Sequence, residues 1–267
     1  MGRHELTDAQ WQRLAPILPP EKSRVGRPSH SHRRIINGIL WILETGAPWR
    51  DLPAQYGSWH TVSSRFYRWR HAGTWQRILV ALQQHADRCG QLDWSVHFVD
   101  STIVRAHQHA AGARGGQASE ALGRSRGGFS TKIHVRADRR GRPLVLLVTA
   151  GERHDQTMFV PLLEQGSVKR QGRGRPRRRP RRVVGDKGYS SRRIRAWLRA
   201  RGIRHTIPHK RNECRCGPFD RAAYRERNHV ERLINRLKQC RRVATRYEKR
   251  AANYLAMVTV AAILLWL

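Results

Sequence analysis

The chain has 267 residues, enough for one large domain or two modest ones with a sizeable core. Lys and Arg number 53 against 19 Asp and Glu, a formal net charge of +34, which repels itself in a compact fold unless a polyanion neutralises it. Nucleic acid is the expected partner: nine Trp argue against a ribosomal-type structural protein, and no isolated basic amphipathic helix marks a membrane-surface binder. Of the four Cys only Cys214 and Cys216 are close, which is not zinc spacing, and a reduced cytosol fits. The N-terminus lacks a hydrophobic signal core. The apolar final stretch, 252–267, falls short of the roughly 20 residues needed to span a bilayer and reads as a buried terminal helix.

Residues 1–88 read as a separate helical unit with its own core, since they hold six of the nine Trp. Thr7-x-x-Gln10 forms a capping box, with Leu6 set to staple onto Trp11, and the helix stops where Pro16, Pro19 and Pro20 cluster. A second helix spans 31–45 and ends at Gly46 and Pro48. A short helix over 51–56, a tight Gly57-Ser58 turn and a basic helix over 59–70 then follow in the order of a helix-turn-helix. Val62, Phe66 and Trp69 face inward there, and Arg65 and Arg68 face elsewhere, as candidate DNA contacts. A last helix, 75–85, buries Ile78, Leu79 and Leu82. The basic loop Val25-Gly26-Arg27-Pro28 suits a DNA minor groove, or equally a linker.

From about Trp94 the texture changes to alternating strands and helices. His97-Phe98-Val99-Asp100 reads as a short strand ending in an acid, 101–128 as loop, and 131–136 with 144–149 as an antiparallel strand pair. A helix over 155–164 precedes a second strand ending in an acid, Arg182-Val183-Val184-Gly185-Asp186. A helix over 190–201 and a short strand over 205–208 follow. Residues 167–182 hold nine Lys or Arg in sixteen positions and read as a mobile loop making non-specific phosphate contacts. Its Arg173-Gly174-Arg175-Pro176 has a second minor-groove-like core.

The stretch 224–238 reads as one helix. Val230, Leu233, Ile234 and Leu237 share a buried face. At 100° per residue Tyr224, Arg227, Glu231 and Lys238 form a bordering stripe about 60° wide. Asp100 and Asp186 project from strand ends, where sites in α/β folds gather, and Glu231 comes from a helix lying against that sheet. Three carboxylates brought together repel one another and call for a cation. Oxygen-only ligation suits Mg²⁺, with Mn²⁺ able to substitute, and two such ions roughly 3.5–4 Å apart stabilise the attacking and leaving oxygens of a phosphoryl displacement. His107, His109, His134 and His154 are too scattered for a metal role, and Asp155 is a candidate buttress. No G-x-x-x-x-G-K-[ST] loop calls for a nucleoside triphosphate.

Val99-Asp100-Ser101-Thr102, the run G-R-S-R-G-G-F-S-T-K-I-H at 123–134, Gly185-Asp186-Lys187-Gly188-Tyr189 and the spacing of Tyr224, Arg227, Glu231 and Lys238 together resemble the DDE transposases of bacterial insertion sequences, in the IS-five family of the IS-four/IS-five-like group. The resemblance covers nearly the whole chain, including Gly26-Arg27-Pro28 and Trp49-Arg50-Asp51-Leu52-Pro53. It implies an α/β fold: a ribonuclease-H-like catalytic domain over 92–267, with a mixed sheet and flanking helices, after an all-helical, helix-turn-helix-like DNA-binding domain over 1–88. It further implies Mg²⁺-dependent strand cleavage and strand transfer, recognition of terminal inverted repeats and target DNA, a homodimer at synapsis, and work at the nucleoid of a bacterial cytoplasm. Asp100, Asp186 and Glu231 would hold the metal. Tyr224, Arg227 and Lys238 would contact DNA or steady the active helix, and Lys187, beside an acid, would touch a phosphate. The length and basicity of 167–182 depart from the family pattern. A DNA-binding regulator without catalysis and a metal-dependent nuclease that does not rejoin remain the alternatives.

Overall fold

The computed structural model describes residues 4–21, 30–113, 116–125, 127–170, 174–213 and 219–267. The N-terminal region is helical: α1 (Asp8–Leu14), α2 (His32–Thr45), α3 (Trp59–His71) and α4 (Thr74–Arg88). The expected box starts α1, with Gln10 N–H donating to Thr7 Oγ1 at 3.2 Å and Thr7 N–H to Gln10 Oε1 at 3.0 Å. Gly46 ends α2 at φ 73°, a left-handed conformation that glycine adopts without a Cβ clash. The short helix expected over 51–56 is instead two single 3-10 turns, Trp49–Asp51 and Ala54–Tyr56. Pro53 stands between them and has no N–H with which to continue a helical ladder. The link from α2 to α3 is therefore longer than the 3–4-residue turn of a helix-turn-helix, and the expected order is corrected to two full helices joined by 3-10 turns. Val25-Gly26-Arg27-Pro28 lies outside the described residues.

The second half contains β1 (Val96–Ala106), β2 (Gly123–Ser125), β3 (Gly128–Asp138), β4 (Pro143–Ala150), α5 (Gln156–Glu164), β5 (Arg182–Gly185), α6 (Arg192–Arg199) and β6 (Arg204–Thr206). Then come α7 (Arg221–Arg225), α8 (Asn228–Gln239), α9 (Arg241–Ala244), β7 (Thr245–Arg246) and α10 (Ala251–Trp266). β1 runs on through 101–106, part of the stretch read as loop. Thr102, Ile103 and Val104 favour extended backbone, and β1 pairs with β3 from His97↔Asp138 to Arg105↔Ser130. Asp100 thus sits in mid-strand rather than at a strand's end. Strands β4, β3 and β1 are antiparallel, and β5 and β6 extend β1 in parallel. A long antiparallel meander prolonged by two parallel strands, with helices on the sheet, is the ribonuclease-H-like arrangement.

The core does not divide at residue 88, where a separate helical core was expected. Apolar α10, with Tyr254, Met257, Val258 and Ala262 fully buried, packs against α2, α3, α4 and β4, so helices and sheet share one hydrophobic cluster. The described residues of segment 167–182 are also tied down more than its composition suggests, while Arg173 of the second minor-groove-like core lies outside the described residues. Val168 is buried and exchanges backbone hydrogen bonds of 2.8 Å with Arg177 in both directions. The fully buried Arg136 donates to the Leu163 and Arg178 carbonyls at 3.1 and 2.6 Å. Among the described residues no helix is long and apolar enough to cross a membrane.

Candidate active site

Val99 of β1 is the register partner of Gly185 in β5. Asp100 and Asp186 are therefore the next residues along parallel neighbours, whose backbones run about 4.8 Å apart. β5 stops at Gly185, and Asp186 opens a 3-10 turn, Lys187–Tyr189. That turn is crowded: a Cβ on Gly188 would stand 3.0 Å from Asp186 Oδ1 and 3.3 Å from Asp155 Oδ2. Asp155, at the start of α5, thus comes in beside Asp186 from a third element. Helix α8 buries Val230, Leu233, Ile234 and Leu237 as expected and packs on β1, which brings Glu231 over the same strand.

Asp100 and Glu231 meet through Arg227. Its Nη2 donates to Asp100 Oδ2 at 2.6 Å, and its Nη1 donates to Glu231 Oε1. Asp100 is buried, and Oδ1 accepts from the Ser101 N–H at 2.9 Å. Burial raises the Asp100 carboxyl above the usual carboxylate range, although Arg227 and the Ser101 N–H pull it down; nearby Asp186 adds to the rise. Burial works against the Arg227 charge, but Asp100, and after it Glu231 and Asp186, outweigh burial and hold the guanidinium protonated. Asp186 Oδ1 is buried without a hydrogen-bond partner. Asp155 Oδ1 accepts from Ser101 Oγ at 2.7 Å and from Lys132 Nζ at 3.0 Å, and Lys132 also reaches the Arg153 carbonyl at 2.7 Å.

As they stand, the acids are not a ligating set: among the described residues no group of three or more His, Cys, Asp or Glu is arranged to hold a metal ion. The Arg227 guanidinium supplies the positive charge between Asp100 and Glu231. The donors nevertheless fit a hard divalent cation, being carboxylate oxygens alone, one of them buried and unpartnered.

Residues 224–238 do not form one helix. α7 ends at Arg225, the chain turns at 226–227, and α8 begins at Asn228 with Arg227 as its N-cap. Glu226 is drawn aside by Arg139, whose Nε and Nη2 lie 3.0 and 2.7 Å from it. Arg227 keeps helical backbone angles and its i,i+4 pairing with Glu231, as the stripe requires, and its other Nη reaches Asp100. Tyr224 is half-buried, its ring 5.3 Å from that of Phe219. Lys238 Nζ donates to the Ile103 carbonyl at 3.2 Å, and Lys187 is exposed beside Asp186. Arg68 is exposed, but Arg65, expected on the DNA side, is buried. Its Nη1 donates to His32 Nδ1 at 2.9 Å and its guanidinium lies 5.5 Å from the Trp69 ring centre, because position 65 falls on the inward side of α3 next to Phe66 and Trp69. Ser101 and Lys132 went unsingled by spacing; a Lys inside the alternating apolar strand 131–136 was the signal, since a buried ammonium needs a carboxylate.

Residues 6–79 match a family model described as "Putative transposase of IS4/5 family", and two models described as "Transposase DDE domain" match residues 94–215 and 183–267. Asp100 falls within the first DDE match, Asp186 within both and Glu231 within the second. "Uncharacterized protein y4sN" of Sinorhizobium fredii is 40% identical over 41% of this chain and 82% of that protein. "Putative transposase for insertion sequence element IS6501" of Brucella ovis is 30% identical over 52% of this chain and 99% of that protein. Among solved structures, the "Mos1 Strand Transfer Complex" aligns with 70% of this chain and 61% of that one at 15% identity and a TM-score of 0.26, too low a score to carry weight.

Proposed function

Because the chain belongs to the IS4/5 family of transposases, we propose that it cuts the ends of its own insertion element and joins them to new DNA, with Asp100, Asp186 and Glu231 as the carboxylates that hold Mg²⁺, or Mn²⁺ in its place. One observation carries this reading. Carboxylates from β1 and α8 share the Arg227 guanidinium, and Asp186, next after the end of β5 alongside β1, holds a buried oxygen with no partner. A cluster that needs positive charge at rest is suited to accept it from cations at work.

Bound divalent cations supply Lewis-acid stabilisation of charge on phosphate oxygens. The protein's own groups hold and orient. Asp155, fixed by Lys132 and Ser101, is a positioning residue that keeps the Asp186 turn in place. Arg227, once released from the carboxylates, pairs with a DNA phosphate through its guanidinium fork. Lys187, Tyr224 and Lys238 flank the same patch as candidate DNA contacts, and Arg68 on α3 is one in the helical region. That region, 1–88, reads the terminal inverted repeats, and two protomers bring two ends together at the bacterial nucleoid.

Incubating the protein and Mg²⁺ with a labelled duplex carrying the DNA that flanks the coding region tests the proposal. The expected products are a nick at the repeat boundary and a strand joined to a second duplex. Nicks without joined strands would fit a nuclease, and binding with neither would fit a regulator; either outcome overturns it.

A further inference from the structure

A strap of basic residues lies at the opposite end of β5 from the acids. Arg182 opens β5 opposite Val96, and Gly185 closes it opposite Val99, so the strap enters about 13 Å from where Asp186 leaves, at ~3.3 Å per strand residue. Its backbone is held. Val168 and Arg177 pair at 2.8 Å, Pro180 is buried, and the Arg178 carbonyl receives the buried Arg136. Burial pushes Arg136 down only to about 9, so it stays charged at neutral pH. The Arg177 guanidinium lies 5.1 Å over the Trp94 ring and 3.5 Å from the Asp87 carboxylate.

The remaining side chains are not spent in this way. Arg170, Arg175, Arg178 and Arg179 are exposed, and among the described residues no carboxylate pairs with them. With Arg177 and Pro176 they line a concavity of about 630 Å³ whose lining contains no acid. Besides Arg177, already paired with Asp87, four guanidinium groups around one hollow repel one another and favour an anion, and each offers a planar fork that fits two phosphate oxygens. The backbone held at Val168, Arg177 and Pro180 presents the neighbouring Arg178 and Arg179 forks with less ordering cost than a loose loop.

We propose that this strap is a docking surface for the phosphate backbone of duplex DNA, separate from the catalytic acids and gripping DNA away from the reacting bond. The partner class rests on the reading of the chain as a DNA transposase. Arginine contacts to phosphate fix position and carry no sequence information, so the strap serves flanking or target DNA of any sequence. It raises affinity without taking part in the cleavage step.

The test is the salt dependence of binding by the full chain to a short duplex of arbitrary sequence, without divalent metal, read by fluorescence anisotropy. The triple variant Arg175→Gln/Arg178→Gln/Arg179→Gln is expected to lower the slope of log affinity against log salt by about 2–3, at ~0.9 per lost phosphate contact, and to weaken binding at least about tenfold. The corresponding Arg→Lys triple keeps the slope. Matching urea midpoints verify the fold, and Arg175→Gln and Arg179→Gln alone, each expected to lower the slope by ~0.9, serve if the triple is unstable. An unchanged slope and affinity in the Gln variants overturns the proposal. So does an equal loss in the Lys triple, or a larger loss for duplex RNA than for duplex DNA. Mg²⁺-dependent cleavage of an element-end duplex by the wild-type chain, assayed in parallel, tells a failure of the catalytic reading apart from a failure of this one.

Discussion

Arg227 and Asp100 form a charged hydrogen bond of 2.6 Å between the cap of α8 and the middle of β1, and the same guanidinium holds Glu231. Removing one partner of a buried pair leaves the other charge uncompensated. Arg227→Gln is expected to destabilise the metal-free chain by about 3 kcal/mol, measured by urea unfolding. Arg227→Lys restores little, since a single ammonium cannot span two carboxylates as a fork does. Added Mn²⁺ should then raise the melting temperature of Arg227→Gln more than that of wild type, because the acids have lost their internal cation. Equal stability with and without the guanidinium would contradict this role.

Lys132 and Asp155 are the second charged pair of the site, at 3.0 Å and largely buried. A double-mutant cycle on Lys132→Met and Asp155→Asn is expected to give a coupling of about 1–3 kcal/mol. Asp155→Asn should also slow cleavage while leaving DNA affinity unchanged, and Asp155→Glu should recover part of the rate. Additive single effects and an unaltered rate would count against the pair.

Gly188 offers a steric test of the same turn. An Ala there would carry its Cβ to 3.0 Å from Asp186 Oδ1, and the carboxylate must give way. The shift needed is a few tenths of an ångström, less than the ~1 Å that costs about 10²-fold in rate, so Gly188→Ala should slow cleavage by a factor well short of that, with little change in melting temperature. A fully active Gly188→Ala would show that Asp186 does not need its present seat.

The parts of the site that sequence makes legible are those carried by local pattern. Val230, Leu233, Ile234 and Leu237 mark the buried face of α8, and Gly185-Asp186 marks the end of β5, because both follow from periodicity and a run of apolar residues. What stays hidden depends on tertiary partners. The break at 226–227 coincides with a pairing of Glu226 to Arg139 across the chain, which no local spacing encodes. Arg65 is buried because His32 and Trp69 meet it there. Asp100 lies in mid-strand because β3 pairs past it to Ser130. The joint core follows from where α10 docks, which no spacing within residues 1–88 encodes.

His134 gives a pH signature. It is buried on β3, Nε2 against Thr149 Oγ1 at 2.9 Å, and burial lowers its pKa to about 4. The unfolded chain protonates this ring near 6.5 while the folded chain does not, so stability falls as pH drops from about 6.5 towards 4, by about 3 kcal/mol from this group. The stability difference between wild type and His134→Gln should therefore shrink across that window, as followed by urea unfolding at several pH values. A difference independent of pH would refute the assignment.

Cleavage and binding measured side by side on Asp100→Asn, Asp186→Asn and Glu231→Gln, at one Mg²⁺ concentration and on one labelled element-end duplex, probe the convergence of the three acids most directly. Each amide should bind the duplex as wild type does and cleave it at least about 10²-fold more slowly. Wild-type cleavage by any one of the three would contradict the account.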